Sequence, residues 1–262
     1  MVILHALGGS NTTVQSRYGL SNLKDDYRDV TDGGTNRGAF VLALSGQNIA
    51  LPGPGAAWNG SPDTCCENDG GNNDDQGYVT RSIDEVRAHA PVDPTRIYLL
   101  GESNGNFLAD RVACHAPSKI TGVIGFCGAG QSPTDLTNLG ACVASPLVSE
   151  LHEHGTGDNT VAYAGGAPVP GLTPALNNVI SAHATVDNHA TLNGCTGSLT
   201  AGTTTTWITS HPNTIYDYGS CPAHGEVQLQ TNDLGHCTNQ TYTGQVETDV
   251  ITWIQSHQGT AR

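Results

Sequence analysis

Apolar residues along this chain fall into short runs divided by polar, glycine-rich stretches. Residues 2–4, 39–44, 96–100, 122–127 and 147–154 read as short strands, most of them apolar throughout, as strands covered on both faces are. Residues 227–231 alternate apolar and polar, the mark of a half-buried strand. Other stretches repeat at helical spacing. Val79, Ile83, Val86 and Ala90 share one face of a helix that Pro91 and Pro94 end, with Asp74 or Asp75 as its cap. Leu108 and Val112, with Ala109 and Ala113, line a helix over 106–114. Val246, Val250, Trp253, Ile254 and His257 form the stripe of a last helix. Weaker patterns predict helices over 18–29 and near 174–183. Residues 47–75 read as one long loop, and 159–225 as a Gly/Pro/Thr-rich insertion. Strands alternating with helices or long loops predict an α/β fold with a mostly parallel sheet flanked by helices. With no internal repeat and no linker, residues 1–262 are expected to form one domain.

Between the strand at 96–100 and the helix at 106–114 lies Gly101-Glu102-Ser103-Asn104-Gly105. A Gly-x-Ser-x-Gly turn in that context lifts a serine Oγ on a strained backbone. Side chains two positions to either side would collide, which explains both glycines. The helix also aims its first N–H groups at the serine, where an oxyanion would form. The strand at 2–4 runs into His5-Ala6-Leu7-Gly8-Gly9, which matches a His-Gly oxyanion loop with Ala6 for the usual glycine and makes Leu7 the N–H donor by position. Asp158 follows the strand at 147–154, and His236 follows the strand at 227–231. The order Ser103, Asp158, His236 is that of α/β-hydrolases. In that arrangement Ser103 is the nucleophile, His236 the base and then acid, and Asp158 the group orienting the imidazole. Asn104 and Leu7 would hold the oxyanion. His224 competes for the base role and Asp233 for the acid role, whereas His152 and His154 lie too close to Asp158 in a strand.

Charge and cysteine content narrow the setting. The chain has 24 Asp+Glu against 10 Lys+Arg, a net charge of −14, which disfavours nucleic acid and anionic membranes as partners. No run approaches the roughly 20 apolar residues of a membrane helix. The eight cysteines, at 65, 66, 114, 127, 142, 195, 221 and 237, contain no close CxxC pair, so no metal centre is expected. No phosphate- or dinucleotide-binding glycine pattern is present, and no cofactor is expected. Disulfides in an oxidising compartment account for the cysteines better. A secreted protein, its leader not part of this chain, is the expectation, since Met1 is followed directly by Val2-Ile3-Leu4.

At this point the chain resembles the esterase family of polyhydroxybutyrate depolymerases and type-B/C feruloyl esterases. The resemblance rests on Leu4-His5 with Gly8-Gly9, Trp58-Asn59, Cys65-Cys66, Asp74 to Val79, Val92 to Tyr98, Gly101 to Gly105, Cys114, His154 to Asp158 with Val161 to Gly166, and Gly235-His236. It implies an α/β-hydrolase fold and a secreted, metal-free serine esterase acting through an acyl-enzyme on acyl esters of hydroxyalkanoate or hydroxycinnamate type; an ester or polyester substrate and a monomer are expected. It also implies one or two strands ahead of the first strand here, so a shortened sheet edge is expected. Glu102 stands where the family commonly has a small or apolar residue, and Asn106 where it often has glycine. By resemblance and proximity the favoured cysteine pairs are Cys195–Cys221 and Cys66–Cys114; with Cys127–Cys142 as a local pair, Cys65 and Cys237 are left to bond each other. Among loop aromatics, Trp58, Tyr163 and Trp207 are the candidates for substrate contact. An inactive binding module of the same fold, or a thioesterase or peptidase using the same triad, is the alternative.

Overall fold

The computed structural model describes residues 1–20, 28–29, 35–36, 38–51, 53–62, 65–66, 73–166 and 178–260. Its main sheet has eight strands. In chain order the elements used below are β1 (Val2–Leu4), α1 (Thr13–Arg17), β2 (Leu42–Ala43), β3 (Gln47–Leu51), β4 (Gly53–Ala57), α2 (Asp75–His89), β5 (Tyr98–Glu102), α3 (Asn104–His115), β6 (Gly122–Phe126), α4 (Pro133–Leu139), β7 (Ser149–Gly155), α5 (Ala182–Asn193), β8 (Thr196–Ile208), β9 (His211–Ser220), β10 (Val227–Asn232) and α6 (Gln245–Ser256). The sheet order is β8-β9-β10-β7-β6-β5-β1-β2. The six strands from β10 to β2 run parallel, while β9 pairs antiparallel with both β8 and β10. Among the described residues β2 is the outer strand at its end.

Alternation along the central strands divides the core between two faces. Tyr98 and Leu100 of β5, with Ile124 and Phe126 of β6, pack on Val14, Val246, Val250 and Trp253 of α1 and α6. Leu99 and Val123 face the other way, onto Val79 and Ile83 of α2 and Leu108 and Val112 of α3. Both faces are covered, as a parallel sheet requires. α2 starts where Asp74 accepts the Gly77 amide at 2.8 Å, which settles the cap between Asp74 and Asp75. Asp75 instead turns inward and accepts the Asn59 amide at 2.6 Å.

Several expectations change. At the described ends of the helix expected over 18–29 the chain is not helical in that register: α1 ends at Arg17, Tyr18 is a buried core residue, and Arg28–Asp29 is extended against Thr35–Asn36. Residues 21–27 lie outside the described residues. The 47–75 loop contains the β3–β4 hairpin, whereas most of its acidic run, 67–72, lies outside the described residues. The helix near 174–183 lies later, as α5: Ser181 caps it by accepting the Ala184 amide at 3.0 Å, and Gly194 ends it at φ +74°. α4 was not expected, although Ser132 and Asp135 form a reciprocal capping box with Pro133 at its start. The 159–225 insertion also supplies β8 and β9, a long, mostly exposed hairpin that extends the sheet.

The eight cysteines stand in four pairs at disulfide-bonding distance: Cys65–Cys66, Cys114–Cys142, Cys127–Cys237 and Cys195–Cys221. Only the last matches the pairing favoured from the sequence. Cys66–Cys114, Cys127–Cys142 and Cys65–Cys237 are replaced because Cys65 and Cys66 meet each other, and because Cys127, at the end of β6, meets Cys237 beside His236.

Candidate active site

The C-terminal ends of the parallel strands bring the three predicted residues together. Ser103 sits on the turn from β5 into α3 with φ 51° and ψ −115°, a backbone conformation that a non-glycine residue rarely holds. The turn is tight. A Cβ on Gly101 would lie 2.5 Å from the Gly105 carbonyl oxygen, and one on Gly105 would lie 2.2 Å from the Leu4 carbonyl oxygen. Ser103 Oγ is 3.0 Å from His236 Nε2. His236 Nδ1 is 2.7 Å from Asp158 Oδ2. All three side chains are buried.

Asp158 is held from both sides. Its Oδ1 accepts the Thr160 and Val161 amides at 2.8 and 3.0 Å, and its Oδ2 faces His236 and also His154 Nε2 at 3.3 Å. Burial raises its pKa, but the hydrogen bonds from His154 and His236 and their charge outweigh that and hold the carboxyl far below the usual carboxylate range. Asp158 is therefore ionised, and His236 donates from Nδ1. That leaves Nε2 as the acceptor facing Ser103, the tautomer a general base needs.

The predicted oxyanion donors lie around the same turn. Among the described residues neither the Asn104 nor the Leu7 amide has a backbone acceptor, whereas Gly8 and Gly9 donate to Ala56 and Ala6. The Asn104 amide opens α3, where backbone donors are left unpaired by the helix. The Asn104 side chain meanwhile bonds both ways with the Trp58 backbone, at 2.7 and 2.9 Å. His5 fixes the other loop: its Nε2 accepts the Gly46 amide at 3.0 Å, so Nδ1 donates to the Ala6 carbonyl at 2.8 Å.

The other predicted contacts fare differently. Trp58 is wholly buried and donates from Nε1 to the His5 carbonyl at 2.9 Å, so it braces the 5–9 loop and is not exposed to a substrate. Trp207 is also wholly buried, packed near Phe126, with Nε1 donating to Asp249 at 2.6 Å. Tyr163 is half-buried, with ring contacts to His154 and His183. The rivals stand apart. Asp233 pairs with His211 on the exposed hairpin side, and His224 contacts the Gln258 carbonyl. Glu102, beside Ser103 in sequence, turns into the core, 2.6 Å from Arg17 Nε and accepting from Tyr18. Burial pushes its carboxyl up, against the pull of Arg17.

His154 is the residue that sequence reasoning set aside as a rival and did not recognise as a partner of Asp158. The signal was its place at the end of the strand that leads into Asp158. Glu150, His152 and His154 share one face of β7, wholly buried, with His152 Nε2 3.2 Å from His154 Nδ1. Burial, and then its imidazole neighbours, push His152 well below the usual histidine range.

No protein-family model matches the chain. Feruloyl esterase B of Piromyces equi is 31% identical over 164 residues, covering 62% of this chain and 28% of that protein. NocK of Nocardia uniformis subsp. tsuyamanensis, named as an esterase, is 27% identical over 176 residues, covering 67% of this chain and 44% of that protein. The chain thus spans less than half the length of these curated relatives. Among solved structures, a Bacillus cereus carboxylesterase aligns over 97% of this chain and 85% of its own, with a TM-score of 0.53 at 16% identity. The chain belongs to the α/β-hydrolase fold, and its relatives in sequence are esterases.

Proposed function

We propose that the chain is a secreted serine hydrolase of carboxylic esters, with Ser103, His236 and Asp158 as its triad. The observation that carries this reading is the unbroken hydrogen-bonded line from Ser103 Oγ through the His236 imidazole to Asp158 Oδ2, at 3.0 and 2.7 Å. His236 Nε2 takes the serine proton as Oγ attacks the acyl carbon. The negative oxygen that forms is held by the Asn104 and Leu7 amides. Collapse breaks the bond to the alcohol, which leaves with the proton from His236. Water then attacks the acyl-serine, giving its proton to His236, which passes it to Ser103 Oγ as the bond to the acyl carbon breaks, releasing the acid and free Ser103. Four cysteine pairs at bonding distance support an oxidising, extracellular setting. Among the described residues no helix is long and apolar enough to cross a membrane.

For substrate, the reading favours hydroxycinnamate or short hydroxyalkanoate esters, the former supported by the feruloyl esterase relative. The test is hydrolysis of p-nitrophenyl butyrate by the wild type and by Ser103→Ala. Loss of a triad serine is expected to cost on the order of 10⁶ in turnover. An active wild type with a dead variant supports the proposal, and methyl ferulate against hydroxybutyrate oligomers then decides the substrate. A folded wild type no more active than Ser103→Ala refutes it.

A further inference from the structure

A second cluster of chemistry lies away from the triad. Asp110 on α3, Glu150 on β7 and His189 on α5 converge between helices and sheet. Their candidate ligand atoms all lie within 4.8 Å of one another, and the three residues are buried. His189 Nε2 stands 2.7 Å from Asp110 Oδ1 and 3.4 Å from Glu150 Oε2. The cluster opens on a cavity of about 430 Å³, whose wall includes Asp110, Gln131, Thr185, Asn188 and His189.

The cluster has too many acceptors for its donors. His189 Nε2 faces two carboxylates and is already committed to Asp110 Oδ1, while the other imidazole beside Glu150, His152, stands with Nδ1 3.6 Å from Oε1, beyond hydrogen-bond distance. Among the described residues Asp110 Oδ2 and both Glu150 oxygens have no hydrogen-bond partner, and neither does the amide of Gln131, which faces the cavity. Asp110 is 1% exposed, Glu150 0% and Gln131 5%, so water from outside does not serve them freely. Buried carboxylates need a paired charge or a metal, and the cationic partner facing both Asp110 and Glu150 is the single His189 imidazole.

We propose that Asp110, Glu150 and His189 form a site for a divalent first-row cation such as Zn²⁺ or Mn²⁺. Two carboxylates neutralise the ion, and the imidazole gives a nitrogen ligand that suits these metals better than Ca²⁺ or Mg²⁺, which prefer all-oxygen shells. Ligand distances of about 2.0–2.2 Å require the three side chains to close on the ion by less than about 1 Å each. On loading, His189 Nε2 gives up its proton to solvent and turns its lone pair to the metal. The remaining position faces the cavity, where the Gln131 amide or a small oxygen-bearing ligand completes the shell. The three ligands come from three separate elements, so none of the short spacings that mark metal motifs announces the site.

The experiment is calorimetric titration of the full chain, stripped with EDTA, with ZnCl₂ and separately with MnCl₂, alongside thermal melts. One equivalent of at least one metal is expected to bind at micromolar Kd or tighter, raising Tm by roughly 5 °C at a hundredfold excess over Kd. His189→Ala and Glu150→Gln are expected to weaken binding at least tenfold, and His211→Ala on the surface hairpin to leave it unchanged. Absence of binding of both metals by the wild type overturns the proposal. So does binding that survives unaltered in folded His189→Ala or Glu150→Gln. The wild-type titration decides the matter even where a variant fails to fold.

Discussion

Replacing Asp158 with asparagine tests whether the site depends on the imidazole tautomer. The substitution keeps the side-chain shape. Oδ1 is pinned by two backbone amides, from Thr160 and Val161 at 2.8 and 3.0 Å. An asparagine must keep its carbonyl there, so its NH₂ falls where Oδ2 now accepts His236 Nδ1 at 2.7 Å. Two donors cannot share that position. The imidazole then carries its proton on Nε2, facing Ser103, and cannot accept the serine proton. The loss expected of a wrong tautomer is about 10³–10⁴ in kcat, or about 4–5.5 kcal/mol of transition-state stabilisation at about 1.36 kcal/mol per decade. KM should change little. The assay is p-nitrophenyl butyrate turnover at pH 8, with thermal melts to show that the variant is folded. Lost charge-assisted bonds to His154 and His236 are expected to lower stability by about 1–3 kcal/mol. A folded Asp158→Asn enzyme that keeps a tenth or more of wild-type kcat refutes the reasoning. Asp233→Asn, in the exposed pair with His211, is expected to leave kcat unchanged.

Three further outcomes are expected. Gly105→Ala puts a Cβ 2.2 Å from the Leu4 carbonyl oxygen, in a turn where neither backbone can yield; it should cost about 3 kcal/mol or more, read as a collapse of the denaturant midpoint. Burial pushes buried Glu153 up to about 7, so the folded chain holds its proton more tightly than the unfolded one. The stability this gives is present in full below about 4.5 and lost as pH rises towards 7, at up to about 1.4 kcal/mol per pH unit. Glu153→Gln should therefore show a flatter stability profile than the wild type between pH 4.5 and 7, and an equal slope would count against that account. Cys127→Ala with Cys237→Ala opens a pairing across a sequence separation of 110 residues; if the pair is oxidised, loop entropy predicts a loss of about 4–5 kcal/mol, measured by urea denaturation against the non-reduced wild type.

Local signals marked much of this molecule in advance. The apolar runs of β1, β5 and β6 and the stripes of α2, α3 and α6 depend on residues close in sequence, and those elements form near their expected places. The serine turn was legible for the same reason: Gly101 answers to a clash with Gly105 inside the turn, although Gly105 answers to the distant Leu4 carbonyl. The candidate acid and base were legible because the fold presents each after a strand end. Other features rest on partners far along the chain. The threonine-rich stretch at 203–206 becomes part of β8 only because β9 pairs with it and extends the sheet. Which cysteines meet depends on how strands and loops are brought together, and three of the four pairs were beyond the pattern of spacing. Trp58 and Trp207 looked like loop aromatics free to touch substrate, yet packing buried both and gave each indole N–H an acceptor. The acceptor-rich cluster of Asp110, Glu150 and His189 exists only after α3, β7 and α5 pack together. Sequence periodicity reports which face of an element is apolar, but not which buried polar groups end up facing one another, because that is decided when the elements dock.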